Sequence, residues 1–263
     1  MTEGEPRTRT SQLLSVVIPA LNEAENIRET VHQLMACLRS EEIPFEIVVV
    51  NDASDDGTGQ VLDELAQEDS AIKPVHRQQP RGVGRAVSAG LEHVTGTVVV
   101  IVMGDRSDDP LDVVTYYRTI LQGYDCVFGS RFVSGSRVER YPPFKLALNR
   151  LANKFFQWMF WCPFNDLTNA FKGYRIEVIK QCQPYRACHF NIFIEMSMKA
   201  ISVDYRIAQI PVRWYGREKG GSKLLLSRMG RRYLGTFLMV WSQWFFFRDD
   251  LLADQNANVT DRT

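Results

Sequence analysis

The sequence predicts an α/β fold: a mostly parallel central sheet covered on both faces by helices. Three observations carry this. Short apolar runs alternate through the first half with segments whose apolar residues recur at helical spacing. The runs are apolar on both sides, as strands read when helices cover both faces of a sheet. Polar or glycine-rich stretches recur after a run and before a helix, where ligands bind in such sheets.

The elements follow in order. "LLSVVIPAL" is a strand, and "NEAENIRETVHQLMACLRS" a helix with apolar positions Ile27, Val31, Leu34, Met35 and Leu38. "FEIVVVND" and "IKPVHR" are strands separated by the helix "GTGQVLDELAQE". "GVGRAVSAGLEHV" is a helix, and "TVVVIVMGD" the most apolar strand. A helix from about 111 to 121 and the strand "DCVFGSRF" close the first half. The second half is less regular. "PPFKLALNRLANKFFQWMFW" is an amphipathic helix with an aromatic face, and "DLTNAFKGYR" a loop entering a strand. "IFIEMSMKAIS" is a buried helix, "YRIAQIPVRWY" a strand and "GREKGGSK" a basic, glycine-rich loop. The expected organisation is a flexible N-terminus (1–12), one large α/β domain (13–223), an amphipathic helix (224–248) and a disordered tail (249–263).

Composition narrows the function classes. The 263 residues carry no net charge, so nothing global points to nucleic acid. From Arg213 to Arg232, however, seven Lys or Arg stand against one Glu. The fifteen residues 233–247 that follow hold no charge. Spanning a bilayer takes about 20 apolar residues. The stretch therefore reads as a helix in a membrane interface or against a partner, with packing on the domain's own core as the alternative. Five cysteines without a CxxC pair, and four histidines, give no zinc spacing. Reduced thiols and a polar N-terminus predict cytoplasmic synthesis.

Three loops carry chemistry. Asp52 ends a strand where a carboxylate can reach a ribose or base, whereas Asp55 and Asp56 suit a turn. Gly82 and Gly84 open a helix beside Arg81 and Arg85, either to cradle a phosphate or to allow close packing. In "MGDRSDDP", Asp105 follows six consecutive apolar residues. One or two carboxylates there, with substrate phosphates, suffice for Mg²⁺ or Mn²⁺. The alternative is a helix cap at Asp109 or Asp112.

"SVVIPALNEAENI", "VVVNDASDDGT", "RGVGRAVSAG", the acidic loop, "VFGSRFVSG" and "GGSK" occur in an order that resembles glycosyltransferase family 2, in its dolichyl- or polyprenyl-phosphate sugar synthase branch. The resemblance spans about 13–223. It implies the GT-A fold and inverting, metal-dependent transfer of a sugar from a GDP- or UDP-linked donor to a polyprenyl phosphate. It further implies donor contacts from Pro19, Leu21, Glu23, Asp52, Gly82, Arg85 and Ser222, and metal ligation by Asp105 with Asp108 or Asp109. Arg131, Asp166, Arg217 and Lys223 stand as catalytic candidates, and Lys145, Asn149, Arg150, Thr168 and Lys172 as acceptor contacts. The chain departs from the family pattern in two places. Asp105-Arg106-Ser107-Asp108-Asp109 replaces Asp-Ala-Asp-Leu-Gln, and Asn169-Ala170 replaces Ser-Gly.

A phosphate acceptor is already an anion and needs no general base. A saccharide or protein hydroxyl would need one, and Asp166 or Glu195 would be the candidates. A non-catalytic sugar-nucleotide binding module is the reading from another class. The implied setting is peripheral, on the cytoplasmic face of a membrane, with a membrane protein or a second copy as further partners.

Overall fold

The computed structural model describes residues 12–216 and 226–260. Its centre is a seven-stranded sheet in the order β3-β2-β1-β4-β7-β5-β8. The first four strands are β1 (Leu14–Ala20), β2 (Phe45–Asp52), β3 (Ile72–Arg77) and β4 (Val98–Ile101). They run parallel, as their two-sided apolar character requires. β5 (Cys126–Ser130) pairs in parallel with β8 (Ile207–Pro211). Between β4 and β5 lies β7 (Lys172–Arg175), antiparallel to both.

One face of the sheet is covered by α1 (Ile27–Ser40), α2 (Thr58–Glu68) and α4 (Pro110–Leu121). The apolar positions expected in α1 are all buried there. On the other face lie α3 (Val83–His93), α5 (Pro143–Phe160), α6 (Ile176–Cys182) and α7 (Ile192–Ser202). α8 (Leu226–Thr260) joins them by burying Phe237 and Val240, and Phe237 meets the rings of Phe155, Phe156 and Phe160. Full burial of one such ring is worth about 2–3 kcal/mol.

Several expectations need correction. The single strand read in "YRIAQIPVRWY" is two. Val212 turns away from the sheet after Pro211, and β9 (Arg213–Tyr215) pairs instead with β6 (Arg137–Glu139). α6 was not anticipated. The tail expected to be disordered from 249 continues as helical backbone to Thr260, after a break at Phe247 (φ −129°, ψ 19°). Leu251, Leu252 and Ala253, which favour helix, follow that break. The uncharged stretch 233–247 docks one side on the protein's own core, while Leu234, Leu238 and Phe245 to Phe247 stay exposed. Among the described residues no helix is long and apolar enough to cross a membrane.

Candidate active site

The loops leaving β1, β2, β3 and β4 gather at the carboxyl edge of the sheet, where ligands of such folds bind. The first two are knitted together. Asn22 Nδ2 donates to Asp55 Oδ1 (2.7 Å), and the Asn22 and Glu23 amides donate to the Ser54 and Thr58 hydroxyls. Glu23 is buried and accepts from Asn26 Nδ2 (2.9 Å) at the start of α1. Pro19 lies at the buried end of β1 and Leu21 in the loop after it.

Asp52 is buried, paired with Arg77 and accepting the Gly82 N–H. The structure thus seats it at the β2–β3–α3 junction and shows a partner, Arg77, that the sequence did not suggest. The glycines of "RGVG" serve close packing. A Cβ at Gly82 would run into the Cys188 carbonyl oxygen, and one at Gly84 into that of Ala187. The Gly84 and Arg85 amides already donate to Cys188 O (3.1 and 3.4 Å). Of the two readings the sequence left open for these glycines, the contacts favour close packing, with the Gly82 amide given to Asp52 and those of Gly84 and Arg85 to Cys188 O. Arg85 Nη1 reaches back to Arg81 O (3.4 Å).

In the acidic loop the aspartates separate by role. Asp105 Oδ1 accepts the Ser107 N–H (3.2 Å), closing a tight turn through Arg106 (φ 63°). Asp108 is buried, and its Oδ2 accepts the Met103 N–H (2.9 Å). Burial, with Asp105 and Asp112 adding like charge, pushes the Asp108 carboxyl up to about 7. A buried carboxyl raised by neighbouring carboxylates suits a hard cation, which needs only one or two such groups besides substrate phosphates. Asp109 departs from the metal expectation. It caps α4 through the Leu111 N–H (2.9 Å), ahead of Pro110 in the first turn, and it pairs with Arg213 (3.3 Å). Asp112 is held by the same arginine (2.6 Å). Arg213 and the Tyr215 N–H bonded to Ser107 O (2.9 Å) therefore fasten β9 to the acidic loop. Among the described residues no group of three or more His, Cys, Asp or Glu is placed to hold a metal ion.

The third cluster joins β5, α5 and the 162–171 loop. Arg131 and Asp166 form a buried two-pronged pair: Nε to Oδ2 and Nη2 to Oδ1, both 2.8 Å. Burial alone would lower the Arg131 guanidinium, but Asp166 outweighs it and holds the group above its usual range. The Arg131 amide adds a third bond to Asp166 (3.0 Å), and Thr168 Oγ1 a fourth (3.2 Å). Rings of Phe132 and Tyr141 flank the guanidinium at 5.6 Å. Asn153, which the sequence reading missed, is buried on α5 and donates to Thr168 Oγ1 (2.9 Å). On the same helix Asn149 bonds Tyr141 Oη, and Arg150 stacks over Phe132 (5.3 Å). Lys172 was expected to touch the acceptor. It is instead fully buried, with Nζ donating to the carbonyls of Leu167 and Asn169. Glu195 is consumed by the Arg186 and Ala187 amides and by Lys199. Arg217, Ser222 and Lys223, and the side chain of Lys145, lie outside the described residues.

Comparison with known proteins agrees with this fold. The family model for Glycosyl transferase family 2 matches residues 15–183. A polyprenol monophosphomannose synthase of Mycolicibacterium smegmatis is 30% identical over 84% of each chain. A dolichol-phosphate mannosyltransferase of Pyrococcus furiosus is 28% identical over 80% of this chain, which spans 59% of that protein's length. Among solved structures, glucosyl-3-phosphoglycerate synthase of Mycobacterium tuberculosis superposes with a TM-score of 0.65 at 20% identity, over 89% of this chain and 82% of that one. Its complex with Mn²⁺, UDP and phosphoglyceric acid gives 0.67 at 19% identity, over 89% and 80%. At that identity the likeness establishes the fold.

Proposed function

The chain belongs to glycosyltransferase family 2, and from that premise we propose that it moves a sugar, with inversion, from a nucleoside-diphosphate donor to the phosphate of a polyprenyl lipid. One observation carries the choice of acceptor. The two carboxylates that the sequence offers as candidate bases are both occupied: Asp166 by Arg131 and Thr168, Glu195 by backbone amides and Lys199. A phosphate nucleophile needs no such base. The names of the two curated relatives support the same acceptor class.

In the reaction an acceptor phosphate oxygen bonds to the anomeric carbon. The bond from that carbon to the donor diphosphate breaks, and its electron pair leaves with the nucleoside diphosphate. Mg²⁺ or Mn²⁺, when bound, supplies positive charge to the departing diphosphate. Asp105 and Asp108 would hold it. Arg131, with Arg150 over the same Phe132 ring and Asn149 bonded to the Tyr141 hydroxyl beside it, orients the acceptor phosphate, so the chain contributes positioning and electrostatics. Pro19, Leu21, Glu23 and Asp52 line the nucleotide end. Arg217, Ser222 and Lys223 are assigned to the donor phosphates and Lys145 to the acceptor.

The lipid would arrive beside α5, which carries both the acceptor contacts and an open apolar side. Trp158 is 70% and Trp161 89% exposed, and Phe245 to Phe247 of α8 continue the exposed surface. With the basic run before α8, this face suits the interface of an anionic leaflet. A panel of GDP- and UDP-linked hexoses with polyprenyl phosphate and Mg²⁺ or Mn²⁺ tests the reading. Release of nucleoside diphosphate from at least one donor, dependent on metal and lost in Asp105→Ala, is expected. No release from any donor would leave a sugar-nucleotide binding module.

A further inference from the structure

Among the described residues Lys172 is the largest charged side chain fully withdrawn from water. It opens β7 opposite Ile101 of β4 and Phe128 of β5, neither of which is charged. Its Nζ donates to Leu167 O (3.0 Å) and to Asn169 O, and among the described residues no carboxylate bonds it. A neutral amine brings two N–H donors, matched by those two carbonyls. An ammonium brings a third, and the face of Phe128, 5.6 Å from Nζ to the ring centre, is there to meet it. The turn so held, Leu167 to Asn169, carries Thr168 and adjoins Asp166, the two residues that grip Arg131.

We propose that Lys172 is a positioning residue that sets the charge of the acceptor pocket: protonated, it leaves the Arg131–Asp166–Lys172 cluster with one net positive charge for an incoming phosphate, and neutral, it leaves the cluster uncharged. This rests on the reading of Arg131 as an acceptor-phosphate contact. The groups acting electrostatically on Lys172 are Asp166 and Arg131, and Asp108 acts in turn on Arg131. Burial pushes the Lys172 ammonium down to about 7, with Asp166 opposing and Arg131 reinforcing. The charged form therefore prevails below pH 7 and fades above it. An arriving phosphate favours the charged form, so binding at pH 8 takes up a proton.

The test is calorimetric binding of farnesyl phosphate, with KM and kcat in parallel, from pH 6.5 to 8.5. Wild type, Lys172→Arg and Lys172→Met are compared. In wild type, affinity falls with rising pH by up to roughly twentyfold, following the loss of the charged amine. Lys172→Arg keeps donors for the turn and a permanent charge, so the part of the fall carried by Lys172 disappears. The remaining pH dependence is that of the phosphate itself. Lys172→Met binds weakly at every pH, and Lys172→Arg keeps the test open where that variant does not fold. An equal pH slope in wild type and Lys172→Arg overturns the inference. Binding without turnover contradicts the proposed function alone, and no binding by wild type overturns both.

Discussion

Replacing Asp166 by Asn separates an ion-pair partner from a catalytic base. The substitution keeps the size of the side chain and one acceptor oxygen. It removes the charge opposite Arg131 and turns an amide NH₂ toward guanidinium donors that now lie 2.8 Å from the carboxylate. Arg131 is only 7% exposed and cannot regain water without opening the β5–α5 junction. Breaking a buried pair by removing one partner costs about 3–5 kcal/mol. With a urea dependence of about 3 kcal/mol per molar for a chain of this size, the midpoint falls by roughly 1–1.7 M. Circular dichroism in a urea titration reads the shift. A midpoint within about 0.3 M of wild type, with transfer abolished, would refute the reasoning. It would make Asp166 a proton acceptor and restore a hydroxyl acceptor.

Two further outcomes follow. Glu46, at the opposite edge of the sheet, accepts from Ser15, Lys73 and Thr95. Burial alone would raise its carboxyl, but these bonds outweigh it and hold the group at about 2. The stabilisation is complete above the unfolded value near 4.5 and is lost as pH falls toward 2. Glu46→Gln should therefore lose roughly 2–3 kcal/mol at pH 7, with the gap to wild type closing below pH 4.5; a gap unchanged down to pH 2 contradicts the network. The second concerns the open face of α5. Trp158→Ser with Trp161→Ser should cut co-sedimentation with vesicles of phosphatidylglycerol and phosphatidylcholine several-fold, with the urea midpoint unchanged. If neither protein sediments and wild type runs as a dimer, the face covers a second copy.

The sheet was legible in the sequence because β1, β2 and β4 are buried on both faces and carry unbroken Val and Ile. The loops at its carboxyl edge were legible for the same reason, since each ends an apolar run. Short elements were not. β6 and β9 have three residues each and α6 has seven, too few for a period to show. The long-range partners were also hidden. Arg77 meets Asp52 across 25 positions, and the Cys188 carbonyl meets the α3 amides across about a hundred. Such a backbone contact leaves no mark beyond the glycines that permit it. Asp109 shows the converse: the cap was among the readings the sequence left open, and the geometry of α4 chose it over the metal.

The central claim is that a lipid phosphate takes the sugar. A donor labelled in its sugar, incubated with the protein and Mg²⁺ or Mn²⁺, should deliver label to the organic phase only when polyprenyl phosphate is added. Asp105→Ala should abolish that transfer while keeping the wild-type unfolding midpoint. Label found solely in a water-soluble glycoside or on protein, with or without polyprenyl phosphate, would contradict the account.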